Sequence, residues 1–324
     1  MSLAILAIVG GLALLAWSAN RFIEGAASTA LHIGLSPLLI GMLVVGFGTS
    51  APEMVVSAMA AADDNPNLAL GNALGSNIVN IGLILGITAL VTPIIVNSKI
   101  VLREIPLLLG VGILSGVIYW NGALTRLEAS ILLAGFLAVI GWSVYSGIKA
   151  RNDALIEETE KELKQHPMTL GNSIAWLVVG LLFLIVSSRV LVWGAVEVAT
   201  IFGVSELIIG LTIVALGTSL PELAASIIAV KRKEHDIAIG NIVGSNMFNL
   251  LAVVGIAGTI NPIEQLPKEV LVRDWPVMMG MTAALFVMAY GWKAKRGEVS
   301  RIEGGLLLLA FTVYYVWLIM TMTG

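Results

Sequence analysis

Two glutamates stand where a charge is costly. Glu53 closes the stretch GFGTSAPE at 46–53 and Glu222 closes ALGTSLPE at 215–222, each in the middle of a long apolar segment. A carboxylate at the centre of a membrane helix costs roughly 2.5–3.5 kcal/mol on insertion scales, so where one occurs it marks function. Each follows a Gly-Thr-Ser run and a proline: Thr49, Ser50 and Pro52 in the first copy, Thr218, Ser219 and Pro221 in the second. A second polar stretch trails each, GNALGSNIVN at 71–80 and GNIVGSNMFN at 240–249. Glu53 and Glu222 are 169 residues apart, as are Ser76 and Ser245, and Asn80 and Asn249. Two copies in fixed register, carrying acids at matched places, describe a duplicated site inside a membrane.

The spacing defines the chemistry. On a helix, Thr49 and Ser50 share a face with Glu53, four and three residues on. Asn72, Ser76 and Asn80 form a polar stripe at i, i+4 and i+8, repeated by Asn241, Ser245 and Asn249. Pro52 offers no N–H to the carbonyl of Gly48, and Pro221 none to that of Gly217, so the helix should break and a bound cation should satisfy the freed oxygens. Oxygen donors without thiolate or imidazole suit Ca²⁺, Na⁺ or Mg²⁺. Two bidentate glutamates and two freed carbonyls supply six oxygens, the lower end of the about 6–8 that Ca²⁺ takes, whereas Mg²⁺ keeps several waters. Gly71 with Gly75, and Gly240 with Gly244, are small-residue faces suited to close helix contact.

Other chemistries fit less well. An intramembrane hydrolase needs a base beside its nucleophile, yet His32, His166 and His235 all fall in predicted loops, and there is no HExxH or GxSxG. Thr49 or Ser50 would have only Glu53 as base. A net charge of −3 argues against a nucleic-acid partner, and the absence of Cys excludes disulfides and thiolate metal sites. A cation channel would use the same residues; flux that runs only downhill would distinguish it.

The elements that carry these residues follow from composition. Hydrophobic residues make up 58% of the 324-residue chain and charged residues 12%, with mean hydropathy +0.96; a soluble domain carries about a quarter charged residues. Runs of roughly 20 apolar residues, the length that crosses a bilayer, occur at about 2–23, 37–61, 68–91, 101–120, 124–147, 170–192, 206–230, 237–260, 273–291 and 303–322. The expectation is an all-α polytopic membrane protein of ten helices. No basic residue precedes Arg21, so the first segment reads as a retained helix. With the N-terminus outside, fourteen of the eighteen Lys and Arg fall on the inner side, which also places the C-terminus outside. The polar stretch 148–167, with Glu157, Glu158, Glu160 and Glu162, reads as a solvated cytosolic linker. It separates a five-helix repeat at 1–147, holding the motif 46–80, from a second at 168–324, holding 215–249. Five is odd, so the second repeat is expected to enter the membrane inverted. The match of IGLSPLLIG at 33–41 to FGVSELIIG at 202–210 extends the likeness beyond the motifs. Inverted repeats in transporters place the substrate site at mid-membrane.

At these residues the chain resembles the sodium/calcium exchanger family, within the cation/calcium exchanger superfamily. It is similar to the prokaryotic branch, since it lacks the large cytosolic insertion of the animal exchangers. The resemblance implies cations held among the second, third, seventh and eighth helices, with Glu53 and Glu222 as carboxylates shared by Ca²⁺ and Na⁺. It implies hydroxyl or carbonyl ligands from Thr49, Ser50, Thr218 and Ser219, carbonyls from Gly46 and Ala215, and further ligands from Ser76, Asn80, Ser245 and Asn249. Some relatives, including potassium-dependent members, carry an acid at the place of Asn249; here both stripe ends are amides, which leaves two formal charges. The implied activity is Ca²⁺ extrusion from the cytoplasm in exchange for Na⁺ by alternating access, with Ca²⁺/H⁺ exchange as the alternative. No catalytic activity, cofactor, nucleic acid or protein partner is expected. Ca²⁺ and Na⁺ are the transported ions, and lipid of a bacterial inner membrane the surroundings.

Overall fold

The computed structural model describes residues 1–97, 100–150, 168–202, 215–290 and 297–323. Its helices are α1 (Ser2–Ile33), α2 (Pro37–Thr49), α3 (Ala51–Ala62), α4 (Pro66–Val91), α5 (Ile100–Tyr119), α6 (Arg126–Ala150), α7 (Leu170–Ile201), α8 (Ala215–Thr218), α9 (Leu220–Lys231), α10 (His235–Ile260), α11 (Val270–Ala289) and α12 (Arg301–Thr323). Among the described residues eight helices are long and apolar enough to cross a membrane, and α2 with α3 counts as a ninth if the bent pair is one span. Of the expected span 206–230, residues 206–214 lie outside the described residues. So do 151–167 of the expected linker, 203–210 of the matched segment, His166, and the inner-side basic residues Lys99, Arg151, Lys161, Lys164, Lys293, Lys295 and Arg296.

Local chemistry sets the helix ends. Ser36 accepts from Leu39 N ahead of Pro37, Asn65 from Leu68 N ahead of Pro66, and Thr169 from Asn172 N; each caps the first turn of its helix. Helix α1 runs ten residues beyond the expected end at 23, because the charges there are paired side by side: Arg21 Nη1 lies 3.1 Å from Glu24 Oε2. It stops at Gly34, whose φ of 67° returns its N–H to Ala30 O and Leu31 O. His32 therefore lies in the last turn of α1, with Nδ1 2.8 Å from Ser28 O, and His235 opens α10. Both had been expected in loops. The chain is also not wholly helical. Pro93 ends the helical run after α4, and β-branched Ile94–Val96 pairs antiparallel with Gly297–Val299.

Two compact units emerge, and each draws on both halves of the sequence. The first comprises Met1–Pro52 and Trp142–Asn241. Its spine is α1 lying antiparallel along α7, with glycines at the closest points: a Cβ on Gly25 would meet Leu177 N at 2.5 Å, and one on Gly180 would meet Phe22 N at 2.7 Å. The contacts are reciprocal at the repeat offset. Gly11 faces Leu191 as Gly180 faces Phe22. Ser28 and Ser173 share a buried hydrogen bond of 2.7 Å, and Trp17 stacks edge-on against Trp176 and Phe183. Arg232, just past α9, reaches Glu24 at 3.2 Å and Asn20 at 2.8 Å, tying that end of α9 to α1.

The second unit comprises Glu53–Gly141 and Ile242–Gly324. Helix α4 is its centre. Gly86 of α4 and Gly304 of α12 face each other, each a Cβ's contact distance from the other's carbonyl. Trp275 of α11 donates to Gly112 O of α5 at 2.9 Å, and Phe248 of α10 packs edge-on against Phe136 of α6. The helices widen into π turns at Val79–Leu85 and Asn249–Val253, in matched places of the two copies. Such turns recur at functional sites.

Candidate cation site

Both glutamates are inside the protein: Glu53 is 1% exposed and Glu222 2%. Each sits just past a helix break. Between α2 and α3 the axis bends by 43° at Ser50 (φ −83°, ψ 0°), and Pro52 is the second residue of α3. Ser219 (φ −91°, ψ 6°) separates α8 from α9 in the same way, with Pro221 second in α9. The Gly217 carbonyl freed by Pro221 does not wait for a cation. It accepts from Ser188 Oγ of α7 at 2.8 Å, a hydroxyl whose role the sequence did not reveal.

An identical hydrogen-bond pattern supports each glutamate. In the second unit Asn72 Nδ2 donates to Glu53 O at 3.4 Å and Ser57 Oγ at 3.0 Å. In the first unit Asn241 Nδ2 donates to Glu222 O at 3.3 Å and Ser226 Oγ at 2.9 Å. The asparagine anchors the broken helix to its neighbour at the residue that carries the charge. An unpaired buried amide would cost about 1–3 kcal/mol, so the pattern also explains why Ser57 and Ser226 are serines.

In the first unit the hydroxyls expected to be ligands gather around these groups. Thr49 Oγ1 lies 3.0 Å from Val45 O, 3.4 Å from Gly46 O and 3.2 Å from Asn241 Oδ1, and its single proton serves one of them at a time. Ser50 Oγ donates to Glu222 Oε1 at 3.2 Å. Gly46 O also accepts from Ser50 N at 3.0 Å. Thr218 is half-buried, Ser219 is buried, and Ala215 is the first residue of α8. In the second unit Ser76, Asn80, Ser245 and Asn249 are all buried, and the two asparagines lie in the matched π turns. Asn80 Nδ2 donates to Asn246 Oδ1 at 2.9 Å and Asn249 Nδ2 to Asn77 Oδ1 at 3.0 Å.

Several of these oxygens are buried yet accept no hydrogen bond among the described residues: Glu222 Oε2 and Ser219 Oγ in the first unit, Asn80 Oδ1 and Asn249 Oδ1 in the second. Buried acceptors are rarely left so; hard cations are the ligands such oxygens fit. Among the described residues no three His, Cys, Asp or Glu side chains cluster, so amides and hydroxyls must join the acids in any coordination shell.

A family model described as sodium/calcium exchanger protein matches residues 3–145 and 172–320, spanning both motifs. The chain belongs to the sodium/calcium exchanger family. Among full-length relatives is a protein of Alkalimonas amylolytica, provisionally named antiporter CaxA, 46% identical over 97% of this chain and 98% of its own. Inner membrane protein YrbG of Escherichia coli K12 is 39% identical over 98% of both chains. A solved structure of the sodium-calcium exchanger NCX_Mj superposes with a TM-score of 0.81 at 30% identity, covering 96% of this chain and 97% of that one. As a sodium/calcium exchanger family member the chain is an integral membrane transporter. Seen so, the residues missed from sequence are the supporting ones: Ser57, Ser226, Asn77, Asn246 and Ser188. The first four were within reach, since Ser57 with Ser226 and Asn77 with Asn246 keep the offset of the glutamates. Ser188 has Ala19 at its matched place and gives no such signal.

Proposed function

We propose that the chain is a secondary antiporter that exchanges Ca²⁺ for Na⁺ across a bacterial inner membrane, with Glu53 and Glu222 as the cation carboxylates. The observation that carries this reading is the repeated support. Two acids in apolar helices, each buried, are held by the same Asn–Glu–Ser bonding in both copies. Structural acids would not need duplicate scaffolds. Thr49, Ser50, Thr218, Ser219, Ser76, Ser245, Asn80 and Asn249, with the carbonyls of Gly46 and Ala215, complete the ligand set.

The mechanism is competition. Ca²⁺ and Na⁺ need the same carboxylates, so one displaces the other, and loaded forms switch access between the two sides. Two carboxylates balance one Ca²⁺, and a desolvated divalent ion bound by fewer charges would be strongly disfavoured. Ten helices in two inverted five-helix repeats, both termini outside, complete the proposal. The reciprocal glycine contacts of antiparallel α1 and α7 support the inversion. Ca²⁺ leaves the cytoplasm as Na⁺ enters.

The test is ⁴⁵Ca²⁺ flux in proteoliposomes under separately imposed gradients. An inward Na⁺ gradient should drive Ca²⁺ out against its own gradient, and a proton gradient alone should not. Flux driven by protons alone would replace Na⁺ with H⁺ as the coupling ion; flux that only dissipates the Ca²⁺ gradient would make the protein a channel.

A further inference from the structure

Four asparagines lie buried in the second unit, and only two of them are proposed ligands. Asn77 and Asn246, each 1% exposed, bond to the ligand amides of the opposite copy. Asn249 Nδ2 donates to Asn77 Oδ1 at 3.0 Å, and Asn80 Nδ2 donates to Asn246 Oδ1 at 2.9 Å. Asn77 is itself fixed, donating Nδ2 to Asn246 O at 3.2 Å, so its oxygen is the end presented to Asn249. The consequence is shared by both ligands: among the described residues, Asn80 Oδ1 and Asn249 Oδ1 are the ends left without a hydrogen bond.

An amide has a right end and a wrong end for a cation. Its oxygen can coordinate, whereas its NH₂ is a donor only and repels positive charge. The two ends are almost equal in shape, so packing alone selects poorly between them. A fixed acceptor at the NH₂ end selects strongly, because reversal would set two oxygens against each other. We infer that Asn77 is a positioning residue that turns the carbonyl oxygen of Asn249 toward the transported cation. The action is crosswise: a residue of the first copy orients the ligand of the second. The inference rests on the proposed role of Asn249 as a ligand.

A carboxylate has no wrong end, and this separates orientation from packing. The experiment is the Ca²⁺ KM and kcat of Na⁺-driven ⁴⁵Ca²⁺ flux for the parent, Asn249→Ala, Asn77→Leu, Asn249→Asp, and Asn77→Leu combined with Asn249→Asp. Asn77→Leu should raise KM about tenfold, the equivalent of one well-placed ligand bond, with kcat nearly unchanged. In the Asn249→Asp background the same change should not raise KM, since it removes an oxygen that would face the carboxylate. An equal rise in both backgrounds would reduce Asn77 to a packing residue and overturn the inference, as would an unchanged KM in Asn77→Leu while Asn249→Ala is impaired. An unchanged KM in Asn249→Ala would remove the ligand itself, and the inference with it. Should Asn77→Leu not fold, Asn77→Ala in the parent and Asn249→Asp backgrounds makes the same comparison, with the same outcomes deciding.

Discussion

The two motif copies form the same local bonds and yet are packed differently. Asn72 and Asn241 each bridge their own glutamate carbonyl and their own serine, at distances within 0.1 Å of one another. The residues just before them diverge. A Cβ on Gly240 would meet Leu38 O at 2.7 Å and Met42 N at 3.1 Å, so α10 runs directly against α2. At Gly71 an added Cβ meets nothing within 4 Å among the described residues, and that residue is exposed. Asn241 is fully buried and faces the Thr49 hydroxyl, whereas Asn72 is half-buried. The comparison teaches which features belong to the copy and which to its surroundings. The Asn–Glu–Ser bonding spans two consecutive helices and follows from the local sequence. The glycine contact depends on which helix is alongside, and one conformation need not treat both copies alike.

The sharpest way to break the comparison is to add one methyl group to each glycine. Gly240→Ala pushes against the backbone of α2, which cannot rotate away, and should cost about 1–3 kcal/mol of stability. Gly71→Ala should be neutral or stabilising by up to about 1 kcal/mol, since alanine is the better helix former. Thermal inactivation of the two variants in detergent checks this. Equal losses would mean that Gly71 also has a close neighbour and that the difference in packing is not real.

A smaller contrast is expected at the asparagines. Asn241→Ala removes a fully buried amide, taking from Ser226 its Asn241 bond and leaving Thr49 only the carbonyls of its own helix, and should cost about 2 kcal/mol. Asn72→Ala exposes its former partners to a more open setting and should cost about 1 kcal/mol. The same thermal assay reads both, and a reversed order would show that the matched bonds are not equivalent supports.

Much of this was legible in the sequence because membrane chemistry leaves few reasons for polar residues. The glutamates, the Gly-Thr-Ser-x-Pro breaks and most of the apolar spans could be read from charge cost, the missing proline N–H and segment length. The length of α1 could not, since Arg21 and Glu24 read as the end of a span until their pairing is seen. Nor could Ser188, whose partner carbonyl at Gly217 is a product of tertiary packing against α7. Asn77 and Asn246 fell off the i, i+4 stripe, so only the repeat offset marked them and it named no role; their partners lie across the helix interface, where single-helix periodicity says nothing. The two strands were hidden for a similar reason, since three residues of β-branched sequence after Pro93 gain their structure only from Gly297–Val299.

The central claim is that the matched glutamates are equal members of one cation-binding machinery, whatever the differences in packing around them. Equilibrium ⁴⁵Ca²⁺ binding to the purified parent, Glu53→Gln and Glu222→Gln tests it most directly. Each variant keeps the shape of the side chain and its backbone carbonyl but loses one charge, which a desolvated divalent ion cannot do without. The account predicts that both well-folded variants lose Ca²⁺ binding to a similar degree, by about 100-fold or more. Parent-like binding in either folded variant would contradict it.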